Sequence, residues 1–132
     1  MKKLLMALMI AGLLSVGAAT VSAQTATAPK SVIHVVTVSW KPDTTPEQIK
    51  AALDGAQALP AHYKGITHVW TKAIKVQNVK GTPKGAEKTH AIVMEFADEA
   101  ALKDYTDSDA QKEWYKVYLP IRGESTTFDI TN

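Results

Sequence analysis

The sequence predicts an α+β domain in which one antiparallel four-stranded sheet carries its helices on a single face. Three observations predict it. Four segments alternate their side chains with the period of two that strands show. The segments between them carry apolar stripes at helical spacing behind clear N-caps. The order of the pieces is strand, helix, strand, strand, helix, strand, a βαββαβ unit whose helices cover one face only.

The stretch at residues 89–96, THAIVMEF, sits at the centre of this pattern. It puts His90, Ile92, Met94 and Phe96 on one side and Ala91, Val93 and Glu95 on the other. Both sides are largely apolar, as in a strand that is covered above and below.

The first strand, residues 32–40, carries His34, Val36, Val38 and Trp40 on one face and Ile33, Val35, Thr37 and Ser39 on the other. Lys41-Pro42-Asp43 ends it. Thr45, with Pro46 at the first helical position and Gln48 three residues on, combines an N-cap, a favoured proline and a capping-box partner. Ile49, Ala52, Leu53, Ala56 and Leu59 form the stripe of that helix, and Pro60 is expected to close it.

Residues 66–76 read as the second strand, with Ile66, His68, Trp70 and Ile74 on the helix side and Val69, Thr71 and Ala73 on the other. Residues 77–88, rich in Gly, Pro and Lys, make a long turn into the central strand, so the two strands form a hairpin. Asp98 caps a second helix carrying Leu102 and Tyr105, which breaks at Thr106-Asp107. Ser108 and Gln111 offer a further capping box ahead of the stripe Ala110, Trp114, Val117 and Tyr118. Residues 124–131, with Thr126, Phe128 and Ile130 alternating, form the last strand.

The face away from the helices, read as Ile33, Val35, Val69, Ala73, Ala91 and Val93, is too apolar to be left in water. At roughly 25 cal/mol per Å² of apolar area, exposing it forfeits several kcal/mol from a net stability of about 5 to 15 kcal/mol. A second copy of the same sheet is the simplest cover, since a two-fold contact needs one self-complementary surface. The expected assembly is a homodimer joined through Ile33, Val35, Val69, Ala91 and Val93, a dimeric α+β barrel of ferredoxin-like subunits.

The start of the chain points to export. Met1-Lys2-Lys3, an apolar run through residues 4–19, and Val21-Ser22-Ala23 have the basic, hydrophobic and small-residue regions of a secretory signal. Cleavage near Ala23 is expected, giving a secreted or periplasmic protein with a small polar leader at residues 24–31 and a domain at residues 32–132. No membrane attachment is expected after cleavage. The chain has no cysteine, so the domain stands on its core without disulfides.

Removing residues 1–23 takes Lys2 and Lys3 with it and leaves 13 basic side chains against 13 acidic ones. A formally neutral mature chain gives no electrostatic reason to bind nucleic acid. Its charge is uneven nonetheless: nine Lys against four acids in residues 30–90, and four Lys or Arg against nine acids in residues 91–132.

His34, His90 and Tyr105 are the candidates for chemistry. His34 and His90 face the helices from neighbouring antiparallel strands. Each lies near the start of its own strand, which separates them beyond the reach of a shared metal, so no metal site is expected. Each His is either a core residue bonded to its neighbours or a wall of a ligand pocket. The surrounding large side chains leave the same two readings, a filled core or a cavity. The cavity would be lined by His34, Val36, Val38, Trp40, His90, Ile92, Met94, Tyr105, Trp114 and Tyr118, with Phe128 beside them. Glu95, a carboxylate on the outer face, is expected at a wet rim or paired across a dimer with Lys72 or Thr37. The chain has no phosphate-binding glycine loop and no nucleophile elbow, and no cofactor is expected.

Taken together, IHVVTVSWKPDTTPEQI, LPAHYKGI, THAIVMEFADEAALKDY and VYLPIRGESTTFDI resemble the stress-responsive dimeric A/B barrel family, Dabb. The resemblance covers residues 32–130. Its most specific pieces match His34 on the first strand, and His90, Asp98 and Tyr105 around the second helix. It implies a homodimer, a stress-related role and a small apolar or aromatic ligand between sheet and helices. It also implies an alternative, a cofactor-free enzyme of polyketide cyclase or monooxygenase type using His34 or His90 with Tyr105. The cyclases of the family often carry His-Pro-x-His after the helix Tyr, with the last His as base. Here that segment is Ser108-Asp109-Ala110-Gln111, and Gln111 takes up no proton at neutral pH.

Overall fold

The computed structural model describes residues 30–75 and 87–132. Its elements are β1 (Val32–Trp40), α1 (Pro46–His62), β2 (Ile66–Ala73), β3 (His90–Phe96), α2 (Glu99–Tyr105), α3 (Asp109–Tyr118) and β4 (Arg122–Ile130). The strands form one antiparallel sheet in the order β2-β3-β1-β4. The expected signal segment and most of the β2–β3 turn lie outside the described residues.

The caps form as the side chains dictate. Gln48 N donates to Thr45 Oγ1 at 3.2 Å and Thr45 N donates to Gln48 Oε1 at 2.9 Å, closing the capping box. Ala101 N donates to the Asp98 carboxylate at 2.8 Å. At α3 the box is half formed: Gln111 N donates to Ser108 Oγ at 3.2 Å, but the Gln111 side chain accepts from Asp107 N at 2.8 Å instead of from Ser108. Asp107 has φ 68°, a left-handed turn that short polar side chains tolerate and that separates α2 from α3.

Two boundaries differ from the sequence reading. Pro60 does not close α1, which runs on to His62 until Tyr63 N donates to Leu59 O at 2.8 Å. Pro60 has no N–H to give Ala56 O, and the helix continues for two residues beyond it. β4 begins at Arg122, two residues early, because Arg122 pairs with Trp40 beyond a register shift between Val38 and Trp40.

The main correction concerns β2. Ile66 stands opposite Phe96 and His68 opposite Glu95, so two steps on β2 match one on β3 and Thr67 is the extra residue of a bulge. The bulge turns every later side chain to the other face. Val69 therefore pairs with Met94 and packs on the helix-side core, and Ala73 pairs with His90. His68 and Trp70 go outward, opposite Glu95 and Val93. Val69 thus leaves the outer face assigned to it, and Trp70 takes its place.

Phe128 is also on the outer face, because it pairs with Val35, and it is 48% exposed. That face holds Ile33, Val35 and Val93, half-buried, together with Trp70 at 45% and Ile130 at 55% exposure. None of the three helices among the described residues covers it. Glu95 is held within its own chain by His68 Nδ1 at 2.8 Å and Thr67 Oγ1 at 3.2 Å. Those contacts replace the partners Lys72 and Thr37 expected across a dimer. The His68 ring in turn stacks on Trp70, centroids 5.4 Å apart.

The core lies between sheet and helices. β1 contributes Val32, Val36 and Val38, β3 contributes Ile92, Met94 and Phe96, and α1 contributes Ala52, Ala56 and Leu59. Tyr105, Trp114, Tyr118 and Ile121 complete it.

Candidate functional site

A cleft of about 230 Å³ remains between the sheet and the α2–α3 corner. Strand alternation builds its floor. His34 and Val36 of β1 face the helices, and so do their β4 partners Asp129 and Thr127 and the further β4 residues Ser125 and Arg122. β4 turns polar side chains inward and apolar ones outward. This inverts the usual arrangement, and it puts hydroxyls and a guanidinium beside the core.

The walls come from the helices. Tyr105, the last residue of α2, packs against Phe96 and Tyr63 with centroids 5.3 and 5.4 Å away. Trp114 and Tyr118 of α3 stack at 4.5 Å, and Trp114 Nε1 donates to Ala52 O at 2.9 Å, pinning α3 to α1. Arg122 lies 6.0 Å from the centre of the Tyr118 ring. Thr106, Gln111 and Tyr115 close the corner.

Of the residues expected in a cavity, His34, Val36, Met94, Tyr105, Trp114 and Tyr118 line this cleft. Val38 and Ile92 do not; both are fully buried and fill the core. Trp40 and His90 form a separate pair, Trp40 Nε1 donating to His90 Nδ1 at 3.0 Å. Thr89 Oγ1 lies 3.0 Å from the same nitrogen. Because His34 pairs with Met94 and His90 with Val38, the two His are four positions apart along the sheet. That is about 13 Å at 3.3 Å per residue. His90 therefore acts as a hydrogen-bond acceptor in the packing, and burial lowers its pKa.

Asp129 is the residue that sequence reasoning missed. His34 Nδ1 lies 2.6 Å from Asp129 Oδ1. A carboxylate on Nδ1 fixes the proton of neutral imidazole there and leaves Nε2 with its lone pair. Ser125, Thr127 and Arg122 were missed as well. For Ser125, Thr127 and Asp129 the signal was available: if Thr126, Phe128 and Ile130 face out, residues 125, 127 and 129 face the helices, whereas Arg122 joins them only through the register shift between Val38 and Trp40.

Two hydroxyls stand out in the walls. Among the described residues, Tyr105 Oη and Tyr118 Oη are the buried side-chain polar atoms that lack a hydrogen-bond partner. Each of these residues is 2% exposed. Burial pushes the pKa of the Tyr105 hydroxyl far up. Burial also raises that of Tyr118, against the pull of Arg122 and of a Ser125 hydroxyl that stands near without hydrogen-bond geometry. Both stay protonated and able to donate at any physiological pH. A buried polar group left unpaired costs about 1 to 3 kcal/mol, so a ligand that accepts from these hydroxyls recovers that cost.

A wider, more open groove of about 420 Å³ runs between α1 and α3, along Gly55, Leu59, Trp114 and Val117. Asp109, Glu113 and His62 also border it, and it has no unpartnered buried atom in its walls. The chemistry is concentrated in the cleft on the sheet.

The sequence matches the family model of the stress responsive A/B barrel domain over residues 32–132. Comparison with curated proteins gives no match. Among solved structures, a hydroxynitrile lyase from Passiflora edulis is similar at a TM-score of 0.65 and 17% identity, covering 79% of this chain and 94% of that one. A Dabb family protein with a ferredoxin-like fold from Mesorhizobium loti matches at a TM-score of 0.61 and 19% identity, covering 77% and 96%. A dimeric ferredoxin-like protein from Thermobifida fusca matches at a TM-score of 0.61 and 17% identity, covering 77% and 91%. At these identities the likeness concerns the fold.

Proposed function

Because the chain belongs to the stress responsive A/B barrel family, Dabb, we propose that it works as a homodimer binding a small molecule in the cleft between its sheet and the α2–α3 corner. One observation carries the reading: the cleft is lined by two tyrosines whose buried hydroxyls have no partner, beside the apolar surfaces of Val36, Met94, Trp114 and Tyr115 and the polar side chains of His34, Thr106, Gln111, Arg122, Ser125 and Thr127. The dimer is supported by the outer sheet face, where Trp70, Phe128 and Ile130 are exposed around Ile33, Val35 and Val93. The dimeric description of the Thermobifida fusca structure supports it too. With residues 1–23 removed on export, the protein does this work outside the cytoplasm, in the periplasm or beyond the cell, and has a stress-related role.

Native mass spectrometry of the protein purified from its own compartment tests this reading. The expected spectrum shows twice the mass of one processed chain and a retained small molecule that is lost when Tyr105 is replaced by Phe. A single-chain mass that never carries a ligand contradicts it.

The second reading, acid–base catalysis without a cofactor, is favoured by the His34–Asp129 contact at 2.6 Å. In this reading Nε2 of His34 takes a proton from the bound molecule while Tyr105 or Tyr118 donates a hydrogen bond to the charge that develops. His90 has no place in it, being about 13 Å away along the strands. The Passiflora edulis neighbour is described as a lyase, so a fold of this kind accommodates chemistry. Turnover of a cleft ligand that is abolished by His34→Gln, and reduced by Asp129→Asn through kcat with KM unchanged, would establish it. Turnover unaffected by both substitutions would remove it.

A further inference from the structure

The cleft has a marked bias in what it offers a ligand. Arg122 contributes a guanidinium with no ion pair among the described residues. Tyr105 and Tyr118 contribute hydroxyls with no acceptor. The Gln111 side-chain oxygen is occupied by Asp107 N at 2.8 Å, which leaves its NH2 group to donate. Among the described residues no carboxylate lines the cleft; Asp129, beside it on β4, is engaged by His34. Donors and one positive charge thus border a space walled also by Val36, Met94, Trp114 and Tyr115, with His34, Thr106, Ser125 and Thr127 beside them.

Resting on the cleft reading above, we propose that the ligand is a small organic anion, a monocarboxylate with an aromatic or branched apolar body. Its carboxylate accepts from the two tyrosine hydroxyls and pairs with Arg122, the side chain whose fork suits a planar carboxylate. Its body lies against the stacked Trp114 and Tyr118 rings. The volume of about 230 Å³ admits one ring with short substituents. Arg122 is exposed and attracts an anion to the cleft, whereas a cation would face it with no carboxylate in the lining.

Titrating the purified protein with sodium benzoate, benzamide and benzyl alcohol, followed by the indole NMR signal of Trp114, tests this. Benzoate is expected to bind about tenfold more tightly than benzamide, and Arg122→Gln to remove that advantage while shifting benzamide affinity by less than about twofold. Raising salt should weaken benzoate alone. Equal affinity for benzoate and benzamide, or an Arg122→Gln variant that keeps the preference, overturns the anion assignment and leaves the cleft standing as a binding site. A Trp114 signal that responds to none of the three probes overturns the anion assignment and counts against the cleft reading as well.

Discussion

Tyr63 and Tyr105 pack ring against ring, centroids 5.4 Å apart, yet their hydroxyls have opposite fates. Tyr63 Oη donates to Ala101 O at 2.7 Å and ties the α1–β2 connection to α2. Tyr105 Oη is buried with no partner. Removing the first hydroxyl loses a hydrogen bond, and Tyr63→Phe should destabilise the fold by about 1 kcal/mol. Removing the second relieves an unsatisfied group, so Tyr105→Phe should leave stability unchanged or raise it by up to about 1 kcal/mol. Urea unfolding of the two variants checks the contrast. Equal losses would mean that Tyr105 is bonded in solution and is not held in reserve for a ligand.

The Trp40–His90 bond gives the fold a pH dependence of known sign. His90 Nδ1 must be unprotonated to accept from Trp40 Nε1, and burial lowers the His90 pKa below its ordinary 6.5. As pH falls below that value the unfolded chain binds a proton that the folded chain resists, so this stabilisation is full above about 6.5 and is lost on the acid side. Urea midpoints of the parent protein should therefore fall between about pH 8 and pH 5.5, and His90→Gln should flatten part of that slope. Superimposable pH profiles for parent and variant would contradict the assignment of His90 to the packing.

Asp107 holds the α2–α3 corner at φ 68°, and that corner places Gln111 and Tyr115 in the cleft wall. Glycine adopts this conformation freely and a β-branched residue resists it. Asp107→Gly should stay within about 0.5 kcal/mol of the parent, and Asp107→Val should lose about 1 to 2 kcal/mol. Thermal unfolding of the pair decides it; equal stability of the two variants would show that the corner relaxes.

Much of this architecture was legible in the residues. Thr45 with Gln48, and Asp98, announced their helices, and the alternation of residues 32–40 and 89–96 gave the two central strands with their faces correct. What failed was β2, for a physical reason. A one-residue bulge at Thr67 leaves no mark in a period-two pattern made of His, Val, Trp and Thr, yet it exchanges Val69 for Trp70 on the outer face. The site was half legible. His34 and Tyr105 were found because they stand out in apolar surroundings, whereas Asp129, Arg122, Ser125 and Thr127 were overlooked because β4 turns its polar side chains to the helix side and Phe128 and Ile130 to the other. That inversion makes sense once a second subunit covers the outer face.

The outer face is accordingly where the account is most exposed to test. Sedimentation equilibrium of the purified protein at micromolar concentration should give twice the mass of one chain. Trp70→Glu places a charge on the apolar patch, beside Val93, and should shift the mass to that of a single chain with the helix-side core intact. A parent protein that sediments as one chain at that concentration, with Trp70, Phe128 and Ile130 left in water, would contradict the account.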